Sequence, residues 1–397
     1  MWETIRADEF CDSVRDGTHD TPKQVENGYK LVTGKHIIDG IIDPTDAYYI
    51  SEKDYMKISE RSKVEKWDVL MSMIGNGLGR SAVVTDTPDY AIKNIALFKV
   101  GEEIKAKWLH YFLSGKDGQG LIYNSLQGSG QPFISLSNLR AFPIPNAPYE
   151  HMEKVVGVLS KYDSLTENNQ KQIKLLEEAA QRLYKEWFVD LRFPGYEDAE
   201  IIDEIPMGWN ETTIDSFIEL QSGYAFKSSS FDDAGNYKIV TIKNVQDGAF
   251  DGDNVNKILE IPDKMPPHCK LQEGDSLLSL TGNVGRVCTV IGDNYLLNQR
   301  VAKIVSEYPC FSYCLFRSDK MFHDMNNLAN GAAQQNLSPI RTGQLRIIKP
   351  DDETILKFEQ MVKPILNKKN ILNRDILIAA QARNRLLPKL MNGEIEV

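Results

Sequence analysis

Apolar positions follow two different spacings along the chain, and each spacing predicts its own kind of element. Short alternating or apolar runs between Gly, Asp and Asn, such as 30–33, 69–73 and 95–98, predict strands and turns. From Val155 to Leu183 apolar residues and the polar Asn169 recur in steps of three and four, apart from one step of seven across Gln172, which predicts a long helix with a narrow seam. A second seam runs from Phe358 to Leu386. Narrow seams favour two helices that pair with each other over an amphipathic helix that lies on its own domain.

The chain also repeats itself at a shift of just over half its length. Residues 29–43 align without a gap on 237–251, and eight of the fifteen positions are identical. From Gln131 onward the shift stays at 203 positions, so that Leu183 falls on Leu386. A repeat of this length predicts two copies of one module, each with a globular part followed by a long helix.

The repeat and the change of spacing divide the chain into five predicted segments. These are a first globular domain at 1–149, a central long helix at 150–192, a linker at 193–205, a second globular domain at 206–351 and a C-terminal long helix at 352–397. Each globular domain is predicted to be a curled, mostly antiparallel sheet with helices. The predicted fold class is α+β, with two repeated mixed α/β domains separated by two long antiparallel coiled-coil-like helices.

The composition agrees with two globular domains, and the net charge bears on whether the chain can bind nucleic acid. The 397 residues are 42% hydrophobic, which is enough to bury a core in each domain. A net charge of −10 argues against nucleic acid as a partner, because DNA affinity depends on Lys and Arg. Half of that excess lies in the linker 193–205, which has five acidic and no basic residues. The near-neutral domains therefore leave room for a local basic face.

Targeting and cysteine patterns predict a cytoplasmic protein. No apolar run reaches the roughly 18 to 20 residues of a membrane span, and the first residues lack the features of a signal peptide. The five cysteines are scattered and predict no disulfide framework. Cys310 and Cys314 lie near His323, but buried thiols are favoured there over a metal site, and we predict no bound metal.

No catalytic motif of a methyltransferase, an NTPase or a hydrolase is present. The glycines of 75–79 are followed by a strand pattern, which predicts a tight turn rather than a phosphate cradle. The alternative function is a metal-dependent endonuclease that would use Asp89, Glu103 and Lys105, since this order of two carboxylates and a lysine can hold Mg²⁺ and orient water. The aligned part of the second copy lacks the lysine. A scaffold that binds no DNA is a further alternative.

Three segments resemble the DNA specificity subunit (S subunit) of type I restriction-modification systems. Residues 175–194 resemble the central region of that family, 386–395 resemble its C-terminal region, and 205–209 with 222–227 resemble the opening of a target-recognition domain. The first copy departs from the pattern because it begins directly at Trp2, without the residues that precede Trp209.

The resemblance implies a non-catalytic subunit whose two domains each read one half of a bipartite, asymmetric site in double-stranded DNA. It implies helices that set the spacer between the halves, dock two methyltransferase subunits and, indirectly, reach restriction/translocase subunits. No cofactor is expected on this chain, and S-adenosylmethionine is expected on the partner methyltransferase. No membrane partner is expected.

The repeat separates two kinds of candidate DNA-binding residue. Residues that are identical in both copies cannot distinguish two half-sites, so they are expected to form turns or contact phosphates: Lys35, Lys243, Asn76, Asn283, Arg80 and Arg286. Polar residues that differ at matched loops are the candidate base readers, with a solvated loop residue as the alternative for each: His19, Asp20, Lys93, Ser129, Gln131, Lys227, Gln299, Arg300, Gln334, Gln335 and Asn336.

A third set is expected to pair the helices or dock a partner. Its members are apolar residues of the two predicted helices: Leu176, Leu183, Trp187, Phe188, Leu372, Ile376 and Leu386. The apolar surface near Phe188 is expected to dock the methyltransferase.

Overall fold

The computed structural model describes residues 2–38, 40–75, 77–128, 130–253, 255–329 and 335–395. The chain divides into two compact units. Unit 1 combines Met1–Leu165 with Ala379–Val397, and unit 2 is Thr166–Ile378. Both long helices contribute to both units, because the boundaries between the units fall inside them.

Unit 1 begins with a mixed domain of short strands and helices. Its strands are β1 Thr4–Arg6, β2 Ser13–Asp16, β3 Tyr29–Val32, β4 Ile37–Ile38, β5 Ile41–Ile42, β6 Tyr49–Ile50, β7 Val69–Ser72, β8 Ser81–Val83, β9 Tyr90–Ile92, β10 Ile95–Lys99 and β11 Pro143–Pro145. Its helices are α1 Ala7–Phe10, α2 Glu52–Ser62, α3 Glu103–Ser114, α4 Lys116–Asn124, α5 Leu136–Arg140 and the first part of α6 Tyr149–Phe188.

Unit 2 repeats this order after the segment that was predicted to be a linker. Its strands are β12 Ile201–Ile202, β13 Ile205–Pro206, β14 Asn210–Thr213, β15 Ile218–Ser222, β16 Tyr237–Val240, β17 Asn256–Ile258, β18 Ser276–Ser279, β19 Val287–Thr289, β20 Tyr295–Leu297, β21 Val301–Ser306 and β22 Arg346–Lys349. Its helices are α7 Pro309–Phe316, α8 Asp319–Ala329, α9 Pro339–Gly343 and α10 Asp352–Met391, whose last turns belong to unit 1.

The main sheets of the two units have the same topology, so the sequence repeat is also a structural repeat. A four-stranded antiparallel sheet has the order β2-β10-β7-β8 in unit 1 and β15-β21-β18-β19 in unit 2. A three-stranded sheet has the order β6-β3-β9 in unit 1 and β17-β16-β20 in unit 2, with one parallel pair in each. The pairs β1–β11 and β14–β22 also correspond. The predicted mixed, mostly antiparallel architecture is confirmed.

The central strands are buried on both faces, which explains why they are continuously apolar rather than alternating. In β7, Val69 and Met71 pack in the core that contains α3 and α6, while Leu70 packs on the opposite side with β3 and β9. In unit 2, Leu278 of β18 faces the helices and Leu277 faces the second sheet. Each central strand therefore joins two layers of core.

The long helices pack together within each unit, as the seams predicted. In unit 1 the beginning of α6 shares a core with Leu387 and Leu390 near the end of α10. In unit 2 the rings of Phe188 and Phe358 lie 4.9 Å apart, so the end of α6 meets the beginning of α10. The helices are thus antiparallel in both units. They also pack on the globular domains. Pairing between the helices and packing of a helix on its own domain, which were alternatives in the sequence analysis, therefore occur together.

Asp351 ties the start of α10 to the start of the second copy. Its Oδ1 accepts the backbone N–H of Thr354 (2.9 Å), as a helix N-cap does, and its Oδ2 accepts a hydrogen bond from Trp209 Nε1 (3.0 Å). Burial alone would raise the pKa of Asp351, but the hydrogen bonds from Thr354 and Trp209 bring it below its usual value.

We expect Asp351→Ala to lower the free energy of unfolding by about 1 to 2 kcal/mol, because it removes the cap of a long helix. Chemical denaturation at neutral pH measures this. Asp352→Ala is the matched control, since Asp352 makes an exposed pair with Lys349 (2.6 Å) that contributes little. An equal loss in both variants would contradict the capping role. Because the folded pKa of Asp351 is lowered, its contribution should be present near neutral pH and be lost as the pH falls below about 4.

Candidate nucleic-acid interface

Matched loops in the two units leave the sheet in the same way. After β2 the chain runs alongside the end of β9, where Thr18 forms a parallel bridge with Lys93. After β15 the chain does the same, and Tyr224 bridges Asn298. The approach is so close that a Cβ on Gly223 would lie 2.3 Å from the carbonyl oxygen of Asn298, so only glycine fits there.

In unit 1 this loop brings together the predicted candidates His19, Asp20 and Lys93. His19 hydrogen-bonds to Asn94 through Nδ1 (2.8 Å) and to Asp16 through Nε2 (2.9 Å). The ammonium of Lys93 donates to the hydroxyl of Thr21, and the exposed Asp20 follows His19 in the same turn. Hydrogen bonds within this loop therefore hold the side chains of His19 and Lys93.

A groove of about 260 Å³ lies beside this loop, against α2, and sequence reasoning missed it. It is lined by Thr18, Asp20, Thr21, Pro22, Asp54, Lys57, Ile58, Arg61 and Ser62. Arg61 pairs with the buried carboxylate of Asp16. The repeat could not reveal these residues, because the described residues between β17 and β18 contain the 3₁₀ turn Pro267–Cys269 and no counterpart of α2.

In unit 2 the equivalent loop presents Lys227, Gln299 and Arg300, which are all exposed. The backbone N–H of Gln299 donates to Tyr224 (3.0 Å), and that of Arg300 donates to the side chain of Asn298 (3.3 Å). Within the described part of the chain, the side chains of Gln299 and Arg300 have no hydrogen-bond partner. Their donors and acceptors face solvent.

The residues that are identical in both copies form the same hairpin turns. Ser72 and Ser279 each donate a backbone hydrogen bond across the turn, to the carbonyls of Arg80 and Arg286, both at 2.9 Å. The described residues of 75–79 therefore form a tight turn, as predicted. Arg80 and Asn283 are exposed there, whereas Arg286 donates to Gln246 (2.5 Å).

The remaining loop candidates lie beside these turns. Gln131 is exposed and its amide lies close to Gly75. Gln335 is half-buried and Asn336 is exposed, and the Asn336 side chain accepts a hydrogen bond from Thr281 (3.0 Å). Asn76, Ser129 and Gln334 lie outside the described residues.

Lys35 and Lys243 are both exposed, and the residues beside them show how the turn that carries them is held. Lys35 pairs with Asp46 (2.8 Å). Next to it, the buried His36 accepts the backbone N–H of Thr33 through Nδ1 (2.8 Å). Asn244, at the matched position, accepts the N–H of Thr241 through Oδ1, also at 2.8 Å. His36 and Asn244 thus accept the equivalent backbone hydrogen bond in the two units.

The helix residues singled out from the sequence differ in burial. Trp187 and Leu372 are buried, while Leu176, Leu183, Phe188, Ile376 and Leu386 are partly buried. Two residues of the predicted seams, Leu165 and Met361, are 44% and 49% exposed. The described helices include none that is long and apolar enough to cross a membrane.

The geometry gives no support to the endonuclease alternative. Glu103 forms an ion pair with Lys107 (2.6 Å) at the start of α3. In the described ranges no group of three or more His, Cys, Asp or Glu side chains could hold a metal ion. The five cysteines are free and buried, and burial raises the pKa of Cys288 to about 12.

Comparison with known proteins agrees with the sequence resemblance. Residues 206–378 match the family model described as the type I restriction modification DNA specificity domain. The chain is 25% identical over 309 residues to the type I restriction enzyme MjaIX specificity subunit of Methanocaldococcus jannaschii, covering 74% of this chain and 70% of that protein. It is 23% identical to the MjaVIII specificity subunit of the same organism, covering 100% and 93%. The resemblance to type I specificity subunits is confirmed.

The fold is also similar to that of a solved structure. The crystal structure of a type I restriction-modification S subunit from M. genitalium aligns with 98% of this chain and 96% of its own, with a TM-score of 0.56 at 14% identity. The predicted fold class is therefore confirmed by a specificity subunit of known structure.

We expect His36→Ala to lower the free energy of unfolding by about 1 to 3 kcal/mol, because the buried N–H of Thr33 would lose its acceptor. His36→Asn should cost less than half as much, since asparagine performs this role in unit 2. Thermal unfolding of both variants checks this, and equal losses would contradict the equivalence.

The pH dependence of stability provides a second test of the role of His36. Burial lowers the pKa of His36 despite the nearby Asp46, so the unfolded state binds the proton more readily. Stability should therefore fall as the pH drops below about 6.5. The difference in stability between wild type and His36→Asn should change across this range, and a constant difference from pH 8 to 5 would contradict the assignment.

Proposed function

We propose that this chain is the non-catalytic sequence reader of a type I restriction-modification complex, and that its two globular domains each read one half of an asymmetric site in double-stranded DNA. The observation that carries the proposal is that the same loop on the same topology presents different polar side chains in the two units. A shared framework with divergent loops is what two half-sites of different sequence require.

The chemistry of the loops supports base reading. In unit 2, Gln299 and Arg300 offer free paired donors and acceptors, which match the edges of adenine and guanine in the major groove. In unit 1, His19, Asp20 and Lys93 occupy the corresponding place. Lys35, Lys243, Arg80, Arg286 and Asn283 lie on turns that both units share, so we assign phosphate contacts to the charged ones among them.

The long helices are assigned the spacing and docking roles. Each is a continuous helix of 40 residues that contributes to both units, so we assign to the length of the helices the spacer between the half-sites. Val189, which is exposed and directly follows Phe188, marks a surface where the methyltransferase could dock. Leu175 on α6 and Ile378 on α10 are further exposed apolar residues, so the helices leave room for two methyltransferase subunits and, through them, for restriction/translocase subunits. S-adenosylmethionine would bind the methyltransferase, and this chain would bind no cofactor.

The first test is modularity. With the partner methyltransferase coexpressed, Arg300→Ala should relax the sequence requirement at one half-site by about 1 to 3 kcal/mol per lost base contact and leave the other half unchanged. Lys93→Ala should relax the other half. Sequencing of methylated sites measures both effects. Arg385→Ala, an exposed change on α10, is the control. Altered bases at both halves after one change would contradict separate readers.

The second test concerns the spacer. Four residues inserted after Gln170 in α6 and after Ile376 in α10 should lengthen it by about one or two base pairs, because four residues add about 6 Å and about 40° of rotation. The bases read at each end should stay the same. A two-residue insertion at both places turns each seam by about 200° and should abolish assembly. An active protein with the original spacer would show that the helices do not set it.

A further inference from the structure

The two long helices are equivalent members of the repeat. Each has 40 residues, and every position of α6 corresponds to the position 203 residues later in α10. Apolar seams that are related in this way do not by themselves distinguish α6 from α10. A helix could therefore pair with its own equivalent in a second copy of the chain.

Charged side chains on the paired faces do distinguish them. In unit 2 the ammonium of Lys369 on α10 donates to the carboxylate of Glu177 on α6 (2.7 Å) and to the hydroxyl of Tyr313. The Tyr313 hydroxyl donates to the same carboxylate (3.0 Å). Lys369 is 1% exposed and Glu177 is 14% exposed. The ion pair is thus enclosed between α6, α7 and α10.

The carboxylate of Glu177 is further held by Arg317, whose Nε lies 2.6 Å from Oε1. Burial by itself would raise the pKa of Glu177, but Lys369 and Arg317 bring it below its usual value. Arg317 has a second acid partner, Asp247, at 2.7 Å. Glu177 is therefore held in its charged form, and Arg317 would keep a partner if Glu177 were neutral.

Unit 1 contains a second network in which an acid on α6 again pairs with a base on α10. Asp163 on α6 accepts hydrogen bonds from Arg383 on α10 (2.8 Å) and from the hydroxyl of Tyr111 (2.5 Å). Tyr111 lies on α3, the counterpart of the helix that carries Tyr313. In both units, then, α6 supplies the acid, α10 supplies the base and a tyrosine of the globular domain completes the network.

Pairing between equivalent helices would remove the acid partner of Lys369 and would leave Glu177 with Arg317 and Tyr313 alone. The position on α6 that corresponds to Lys369 is Thr166, and the position on α10 that corresponds to Glu177 is Ala380. An α6–α6 pair would therefore place Glu177 opposite a threonine, and an α10–α10 pair would place Lys369 opposite an alanine. A buried charge without a partner is strongly destabilising, whereas the mutual pairing satisfies both.

We propose that the Glu177–Lys369 and Asp163–Arg383 networks are a partner-selection device, which makes α6 pair with the α10 of its own chain and rejects pairing between copies. The device acts through the penalty for unpaired charge rather than through added stability, and this penalty is largest for the buried Lys369. It is independent of DNA recognition, so it would stand if the proposed function failed.

The test uses two full-length copies with different affinity tags, unfolded together in denaturant and refolded together. Sequential capture on both tags measures the mixed species. In the variant Glu177→Gln/Lys369→Met, the glutamine still accepts from Tyr313 and Arg317 keeps Asp247. We expect its mixed fraction to exceed that of wild type by about tenfold, with a melting temperature that is unchanged or raised. The control Glu178→Gln/Lys368→Met makes the same chemical changes at neighbouring exposed positions and should behave as wild type.

Two further variants separate selection from stability. Leu366→Ala weakens the buried seam without changing charge, and it should lower the melting temperature without raising the mixed fraction. Asp163→Asn/Arg383→Met neutralises the half-exposed network of unit 1 and should raise the mixed fraction to a smaller degree, which keeps the proposal testable if the unit 2 variant fails to fold. A mixed fraction equal to that of wild type in both neutralised variants would overturn the proposal.

Discussion

The antiparallel packing of α6 against α10 is the interaction on which the rest of the structure depends, because each helix completes the core of both units. In unit 2, Tyr184 and Trp187 of α6 and Phe358 of α10 form one aromatic cluster with Phe311 of the globular domain. In unit 1, Leu159 and Leu387 of the two helices lie in the same core as Trp108. Neither globular domain buries its helix-facing surface without both helices. The stability of each globular domain therefore depends on the pairing of the two helices.

Duplication explains why the framework of the candidate interface is so regular. Loops that must approach a strand closely keep glycine, and hairpin turns keep their serine and arginine. The turn that carries Lys35 or Lys243 keeps its hydrogen bond, although the acceptor is a histidine in unit 1 and an asparagine in unit 2. The side chains that these elements present are under no such constraint. They differ between the units because backbone geometry, and not side-chain identity, is what the shared fold requires. Such a division suits a reader of two different half-sites.

Much of the fold could be predicted from the sequence, and less of the site. The repeat, the long helices and the turn at 75–79 follow from local spacing and from glycine chemistry. The prediction of which residues form the seam was less accurate, since Leu165 and Met361 are exposed while Lys369 is buried between the helices. A hydropathy pattern assigns lysine to the solvent face, and only a neighbouring acid makes its burial tolerable. The groove beside Thr18 could not be predicted from the repeat, because the described residues of the second copy contain no counterpart of α2.

The sequence by itself determined the number of modules, their order of elements and the residue types at matched loops, because these are properties of spacing and of self-similarity. Only the tertiary structure decided which distant side chains meet: His19 with Asn94, Arg61 with Asp16, and Glu177 with Lys369 and Tyr313. Each of these contacts joins residues on separate elements, and the partner of a buried charge is set by how the elements pack. Periodicity places a residue on a face, but packing selects what that face touches.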